Sequence, residues 1–393
     1  MSGTRQLHTQ SAEERATLNK LPYRRIVIKA GTSVLTSGPD HQALDLTVMA
    51  DLARQISQLR EQSAEVLLVT SGAIAAGQEA LGPKQDRLDR DILSRQVLAA
   101  TGQSRLMHSY QELFEGHGIQ VAQVLLTIKD LSDRPSYLNI RNTLRGLLEL
   151  GVLPILNEND VVAVDEIGEV FGDNDRLSAL IANLVDADLL VILTDTDGLY
   201  TSDPNVDPEA RRIPSVDQVD EAIEALAGKD RNPWSRGGMP TKIEAARLVT
   251  TSGITMVMCN GLSTEAVLRA ARGEEIGTVF RPAEGKMEAR KRWMLGAVSQ
   301  QCEVIVDAGA TVAILKNNRS LLPAGIKDVN GEFQRGDIVY IADLEGRRVA
   351  CGIANYGSPD IRRILGFRSD QIRATLGYDY GQEVVHRNNL VLL

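Results

Sequence analysis

Residues 170–204 read VFGDNDRLSALIANLVDADLLVILTDTDGLYTSDP, and this stretch decides the fold of the chain. Asn174 and Asp175 precede apolar residues at helical spacing, so they mark a helix start, where unpaired backbone N–H groups attract anions. The apolar run 189–193 then predicts a strand buried on both faces, as parallel sheets require. Each acidic turn of this unit, taken alone, is better explained as an ordinary cap or turn.

The end of this predicted strand carries polar groups. Thr194 and Asp195 follow it directly, and ligands of open α/β sheets bind at the carboxyl ends of strands. If the ligand is a polyphosphate, acidic groups there need a cation, for which Mg²⁺ is the usual choice.

A lysine and a glycine close the first predicted strand, 25–29. Lys29 would supply charge to a phosphate, and Gly31 and Ser33 follow in a turn that lets backbone approach the ligand. The sequence contains no GxxxxGK[ST] motif, so this is not a Walker A loop. A solvated lysine at a strand end is the alternative, and it is the better explanation of this loop alone.

Three further loops have a similar character. Ser71 and Gly72 follow the strand 65–70 and open a helix of small residues, an arrangement that binds anions or permits close packing. The polar run 157–160, NEND, follows a buried strand and needs solvent or a ligand. The loop 236–242, RGGMPTK, precedes a helix start marked by proline, and a flexible loop is an equally good reading of it alone.

Apolar strands alternate with amphipathic helices from residue 21 to residue 280. This pattern predicts an α/β three-layer αβα sandwich with a mostly parallel sheet, whose polar loops lie along one edge. The helix predicted over 91–114 is expected to break near Gly102. Residues 1–20 read as a flexible tail and 281–300 as a charged linker.

Residues 301–393 have a different sequence pattern. Short β-type runs at 303–306, 313–315, 337–342 and 349–354 are separated by glycine turns, which predicts a small β-barrel-like domain. This part holds eleven basic and eleven acidic residues, so it lacks the strong positive charge that nucleic-acid binding usually requires.

The composition is that of an ordinary soluble protein, 43% hydrophobic and 24% charged, with a formal charge of −9. No apolar run is long enough for a membrane span, and the polar N-terminus does not resemble a secretory signal. The three cysteines lack metal-ligand spacing. A cytoplasmic protein with no membrane association is expected.

Six segments in order resemble the glutamate 5-kinases of the amino acid kinase superfamily. They are IKAGTSVLT at 28–36, TSGAIAAG at 70–77, NEND at 157–160, FGDND at 171–175, TDTDGLYTSDP at 194–204 and GGMPTK at 237–242. Residues 301 to about 385 look like a PUA domain, which many bacterial members carry. The loop at 235–238 reads SRGG where the family usually has GTGG.

The resemblance implies the amino acid kinase fold and phosphorylation of the L-glutamate γ-carboxylate by ATP. It assigns Lys29, Lys242 and Asp175 to catalysis, with the lysines on the β- and γ-phosphates and the aspartate holding them in position. The nucleotide site implied is Lys29, Gly31, Ser33, Thr194, Asp195, Arg236, Gly237, Gly238, Met239, Pro240, Thr241 and Lys242. Mg²⁺ would be held mainly through the nucleotide and water, with no dedicated metal ligands.

The same resemblance places L-glutamate on Ser71, Gly72, Asp160 and Asn174, with Asp160 facing the substrate ammonium. It further implies the first step of proline biosynthesis, feedback inhibition by proline, a homo-oligomer (dimer or tetramer), and a glutamyl phosphate reductase as a possible partner.

Three alternatives stay open. The first is another acceptor within the superfamily. The second is an RNA-binding PUA protein, for which Arg347, Arg348, Arg362 and Arg363 would form a local patch, although RNA is not expected as the main partner. The third is a C-terminal domain that serves only assembly or regulation.

Overall fold

An eight-stranded sheet forms the centre of the first part of the chain. The structure is a computed structural model that describes residues 21–37, 43–87, 92–163, 174–204, 206–226, 238–282, 302–317 and 319–393. The strands of this part are β1 (Arg25–Ala30), β2 (Thr36–Ser37), β3 (Ala43–Leu44), β4 (Glu65–Thr70), β5 (Val121–Leu126), β6 (Leu153–Glu158), β7 (Leu189–Thr194), β8 (Ser215–Val216), β9 (Thr255–Asn260) and β10 (Thr278–Phe280). β2 and β3 form a separate ribbon.

Helices cover the sheet. The described ones are α1 (Thr32–Leu35), α2 (Leu46–Glu61), α3 (Ala73–Leu81), α4 (Ile92–Glu115), α5 (Ile128–Ser132), α6 (Arg134–Glu149), α7 (Asn174–Leu184), α8 (Glu221–Leu226), α9 (Met239–Thr251) and α10 (Ala266–Ala271). None of the described helices has both the length and the apolar character needed to cross a bilayer.

The strand order is β5-β6-β4-β1-β7-β9-β10-β8, and the first six strands run parallel. Among the described strands of this sheet, β9 and β10 alone pair antiparallel, and β10 and β8 pair parallel. This confirms the predicted mostly parallel α/β sheet. In the register, Ala30 lies beside Thr70 on one side and Leu193 on the other, so β1, β4 and β7 end side by side.

Both faces of the sheet are buried. Side chains alternate along each strand, so each strand contributes to a core on either face. Val27 and Leu190 contribute to the core on one face, whereas Ile28 and Val191 contribute to the core on the other. β7 is buried along its whole length, as its apolar run predicted. The three-layer αβα sandwich is therefore confirmed.

The C-terminal part has its own five-stranded sheet, in the order β12-β11-β13-β14-β15. Its elements are β11 (Glu303–Val306), α11 (Ala308–Asn317), β12 (Ile326–Asn330), β13 (Ile338–Ala342), β14 (Arg348–Ala354), α12 (Ser358–Ile364), α13 (Ile372–Leu376) and β15 (Val385–Leu392).

Two predictions of secondary structure were wrong. Residues 313–315, expected in a strand, lie inside α11, where the Asp307 carboxylate accepts from the backbone N–H of Ala310 and stabilises the first turn. The helix expected to break near Gly102 is continuous, because this glycine is a packing position and not a break. The tail 1–20 and most of the linker 281–300 lie outside the described residues.

The two parts share apolar contacts. Ile338, Tyr340, Cys351 and Val391 of the C-terminal sheet belong to the same buried cluster as α7 and α9. A small cavity between them is lined by Arg247, Leu248 and Thr251 of α9 together with Tyr340 and Leu393. The C-terminal sheet therefore packs against the two helices that begin at the candidate site.

Candidate functional site

A buried carboxylate between two ammonium groups forms the centre of the site. Lys29 is near the end of the central strand β1, and its Nζ lies 2.6 Å from Oδ1 of Asp175. Lys242, in the first turn of α9, places its Nζ 3.0 Å from Oδ2 of the same carboxylate. Lys29 is 6% exposed, Lys242 8% and Asp175 not at all, so the three groups are nearly removed from water.

The electrostatics of this triad favour a bound anion. Burial alone would raise the pKa of Asp175, but the charges and hydrogen bonds of Lys29 and Lys242 outweigh it and hold that pKa well below its usual range. With the carboxylate ionised, the triad carries a net charge of +1. Helices α7 and α9 both begin at this triad, and their N-termini add partial positive charge.

The loop before α9 supports the triad. The Thr241 hydroxyl lies 3.0 Å from Oδ2 of Asp175 and 2.9 Å from the carbonyl oxygen of Gly238. Met239 and Pro240 open the helix, as the sequence predicted. Arg236 and Gly237, also expected in the nucleotide site, lie outside the described residues.

The other expected nucleotide residues lie at the same sheet edge. Gly31 precedes the short helix α1, which contains Ser33. Thr194 ends β7, and its hydroxyl donates to the carboxylate of Asp195 at 3.0 Å. Because β1 and β7 are adjacent, these residues and Lys29 border one region.

Asn174, directly before Asp175, ties a second group of polar residues together. Its Nδ2 donates to the carbonyl oxygen of Thr70 at 2.9 Å, to Oγ of Ser71 at 2.9 Å and to Oδ1 of Asn157 at 3.1 Å. Its Oδ1 is buried and has no hydrogen-bond partner among the residues that the structure describes. Gly72 adjoins this group as the N-cap of α3.

Asp160 stands after β6 in the same region. Burial raises its pKa to about 6, and the charge of Arg95 opposes the shift. A carboxylate whose ionised form is destabilised in this way gains from a cationic ligand.

The structure brings Lys29, Lys242 and Thr241 into contact with Asp175, and it brings Asn174 into contact with Ser71. It places Gly31, Thr194 and Asp195 at the ends of the adjacent strands β1 and β7, and Asp160 after β6. Sequence reasoning missed Gln103 and gave no separate role to Asn157, which link to Asn174 through side-chain hydrogen bonds. The available signal was Asn157 within the NEND run. No sequence signal pointed to Gln103, because its neighbour Gly102 was interpreted as a break in the helix. Among the described residues, no group of three or more His, Cys, Asp or Glu side chains could hold a metal ion.

Comparison with sequence families gives two matches. The model of the amino acid kinase family matches residues 24–260, and that of the PUA domain matches residues 302–376.

Individual relatives match over nearly the whole chain. Glutamate 5-kinase of Dehalococcoides mccartyi (strain CBDB1) is 50% identical over 96% of this chain and 100% of its own. That of Herpetosiphon aurantiacus is 51% identical over 94% of this chain and 98% of its own, and that of Shewanella woodyi 45% over 96% and 100%. Among solved structures, a UMP kinase from Bacillus anthracis aligns with 66% of this chain and 96% of its own, at 15% identity and a TM-score of 0.46.

Proposed function

The chain belongs to the glutamate 5-kinases of the amino acid kinase family, and from this premise we propose that it phosphorylates the γ-carboxylate of L-glutamate with ATP. The observation that carries the proposal is the buried triad in which Lys29 and Lys242 share Asp175. Two ammonium groups held at two helix N-termini suit a terminal phosphate that must meet a second anion.

The chemistry needs no general base. A glutamate side chain with a pKa of about 4.3 is already ionised at neutral pH. One γ-carboxylate oxygen attacks the γ-phosphorus of ATP, the bond from phosphorus to the bridging oxygen breaks, and ADP leaves with that electron pair. The products are L-glutamyl 5-phosphate and ADP. Catalysis then consists of aligning two anions and neutralising their charge.

In this proposal Lys29 and Lys242 contact the phosphates from two sides, while Asp175 holds both ammonium groups in position. Gly31, Ser33, Thr194, Asp195 and the 236–242 loop complete the nucleotide site. Mg²⁺ would be held mainly through the nucleotide and water, and it would supply charge neutralisation on the phosphates.

For the acceptor, we assign the substrate ammonium to Asp160 and to Oδ1 of Asn174, with Ser71 and Gly72 beside them. Support comes from the raised pKa of Asp160, whose charged form burial disfavours, and from the unpaired Asn174 oxygen. Both features are relieved by a bound ammonium group.

Several finer proposals follow from family membership. We propose that the reaction is the first step of proline biosynthesis, that proline inhibits it, and that a glutamyl phosphate reductase takes the labile product. We propose the cytoplasm as the location, since Cys259, Cys302 and Cys351 are all free thiols.

We also propose a homo-oligomer, either a dimer or a tetramer. Leu93 and Val97 on α4 are 65% and 38% exposed, and Val161 and Val162 in the loop after β6 are 53% and 59% exposed. The Gln96 side chain donates to the carbonyl oxygen of Val161, so the helix and the loop are adjacent. Such a cluster of exposed apolar side chains suits a protein interface.

Steady-state kinetics of two variants test the assignment of roles. Lys242→Ala should lower kcat by about 100-fold or more, because it removes charge that matters most in the transition state. Asp160→Ala should chiefly raise the KM for glutamate, since it removes a ground-state contact to the ammonium. An unchanged glutamate KM in Asp160→Ala would show the acceptor assignment to be wrong.

A panel of acceptors tests the substrate. ADP release is measured with glutamate, aspartate, acetylglutamate and carbamate, and we expect turnover with glutamate alone. Preference for another acceptor would favour a different member of the superfamily.

RNA as the main partner is a weaker candidate. Arg348 pairs with Glu303 at 2.7 Å and Arg362 with Glu332 at 2.5 Å, so two arginines of the suggested patch are already neutralised. Arg347 faces Glu221 at 3.8 Å, and Arg363 donates to a backbone carbonyl. A salt-dependent gel shift would reveal RNA binding.

A further inference from the structure

Two glycines bring α3 and α4 into unusually close contact. A β-carbon at Gly102 would overlap the carbonyl oxygen of Ala73, and one at Gly77 would overlap the carbonyl oxygen of Leu98. Ala73 is the first residue of α3, directly after Ser71 and Gly72. The crossing therefore fixes α4 against the start of α3 and brings the residue after Gly102 to the acceptor side of the site.

That residue is Gln103, the outer member of a chain of three amides. Its Oε1 accepts from Nδ2 of Asn157 at 2.9 Å. Oδ1 of Asn157 accepts from Nδ2 of Asn174 at 3.1 Å and from the backbone N–H of Glu158 at 2.9 Å. Each hydrogen bond sets the orientation of the next amide.

With the amides oriented in this way, one polar group at each end of the three-amide chain has no hydrogen-bond partner among the described residues. Oδ1 of Asn174 is a buried acceptor without a partner, and Nε2 of Gln103 is a buried donor without a partner among the described residues. A buried polar group that makes no hydrogen bond destabilises the fold, so we expect a ligand to satisfy both groups.

An α-amino acid offers the matching pair of groups. Its ammonium donates and its α-carboxylate accepts, and the two are attached to one carbon atom. If the γ-carboxylate faces the lysine triad and the ammonium meets Asn174 and Asp160, the α-carboxylate is left in need of a donor on the acceptor side.

We propose that Gln103 is a specificity-determining residue whose Nε2 donates to the α-carboxylate of the acceptor amino acid, while its Oε1 holds Asn157 and, through it, Asn174. This inference rests on the proposed function and extends it, because it explains how an acceptor with a free α-carboxylate is recognised.

Gln103→Glu separates the two roles of this side chain. A glutamate keeps an oxygen that accepts from Asn157, so the amide chain stays oriented, but the donor is replaced by a negative charge. Kinetics are measured with L-glutamate and with L-isoglutamine, in which the α-carboxylate is a neutral amide and the γ-carboxylate is intact. Gln111→Glu, on the exposed face of the same helix, is the matched control for added charge.

We expect the KM for L-glutamate to rise about 100-fold in Gln103→Glu, and kcat/KM for L-isoglutamine to change less than about threefold. The KM for ATP should stay near the wild-type value, and Gln111→Glu should match the wild type with both acceptors. Equal losses with the two acceptors, or none, would overturn the inference, because a residue that only orients Asn157 cannot discriminate between them.

A neutral variant keeps the test decisive if Gln103→Glu does not fold. Gln103→Met has similar volume and no charge, and we expect about a tenfold rise in the glutamate KM with little change in the KM for ATP. An unchanged glutamate KM would contradict the proposal. A wild-type protein that turns over another acceptor but not glutamate would instead overturn the proposed function itself.

Discussion

Asp175 is the residue that converts two distant segments into one site. The isolated charge of a buried aspartate would be unfavourable, and Lys29 and Lys242 compensate it from β1 and α9. Its place in the first turn of α7 also aligns it with the helix dipole. The sequence predicted the helix start and, through family resemblance, the partners, whereas the distances depend on the folded chain.

Asp160 should make glutamate binding depend on pH. Its pKa is about 6 in the folded protein, so the carboxylate becomes neutral as the pH falls through that value and no longer attracts the substrate ammonium. We expect kcat/KM for glutamate to fall about tenfold per pH unit below about 6. Kinetics from pH 5 to 8 measure this, and Asp160→Asn should give a lower and flatter profile.

The same shift predicts a stability effect of opposite sense. Because the folded pKa lies above the ordinary 3.8, the folded protein binds this proton more tightly than the unfolded chain, and stability is lost as the pH rises from about 4 to about 6. Asp160→Asn should therefore raise the free energy of unfolding by about 2 kcal/mol at pH 7.5 and leave it unchanged near pH 4. Urea unfolding at the two pH values would check this, and equal effects at both would refute it.

At the scale of the element, the α3–α4 crossing decides where the acceptor side of the site lies. Its two glycines allow backbone-to-backbone contact that no side chain would permit. Gly102 was read from the sequence as a helix break because a glycine within a helix lowers helix propensity. The helix is continuous because packing against α3 outweighs that local preference.

Gly102→Ala should therefore be strongly destabilising. The added methyl group overlaps the backbone of α3, and we expect a loss of about 3 kcal/mol in the free energy of unfolding, measured by denaturant titration. Gly146→Ala is the matched control, since this glycine lies in α6 with open space at the β-carbon. There the higher helix propensity of alanine should stabilise by about 0.5–1 kcal/mol. Similar effects at the two positions would contradict the role given to the crossing.

At the scale of the whole molecule, the C-terminal sheet packs on α7 and α9, which carry Asp175 and Lys242. Tyr340 is the centre of this contact: it is 6% exposed, it borders α9, and the Arg348 guanidinium lies 3.9 Å from its ring centroid. Arg347 and Glu221 form an exposed ion pair across the same boundary. The contact thus combines a buried apolar centre with a charged rim.

Tyr340→Ala should lower the free energy of unfolding by about 3 kcal/mol, because it leaves a cavity at a buried contact. Arg347→Ala should change it by less than about 0.5 kcal/mol, since exposed ion pairs contribute little. Denaturant unfolding of both variants measures the difference. A larger effect of Arg347→Ala would mean that charge, and not apolar packing, joins the two parts.

The sequence by itself determined most of the elements and their order, with the exceptions of the helix at 308–317 and the continuity of α4. Local hydrophobic periodicity predicts the strands at 65–70 and 189–193 and the helix start at Asn174. It also predicts the change of sequence pattern before residue 301. Such periodicity depends only on neighbouring residues, so it can be recognised without the fold. Only the tertiary structure decided that Lys29 and Lys242 share one carboxylate and that Gln103 joins Asn157 and Asn174. Contacts between residues far apart in sequence depend on strand order and helix crossing, and these are set by packing that no local pattern encodes.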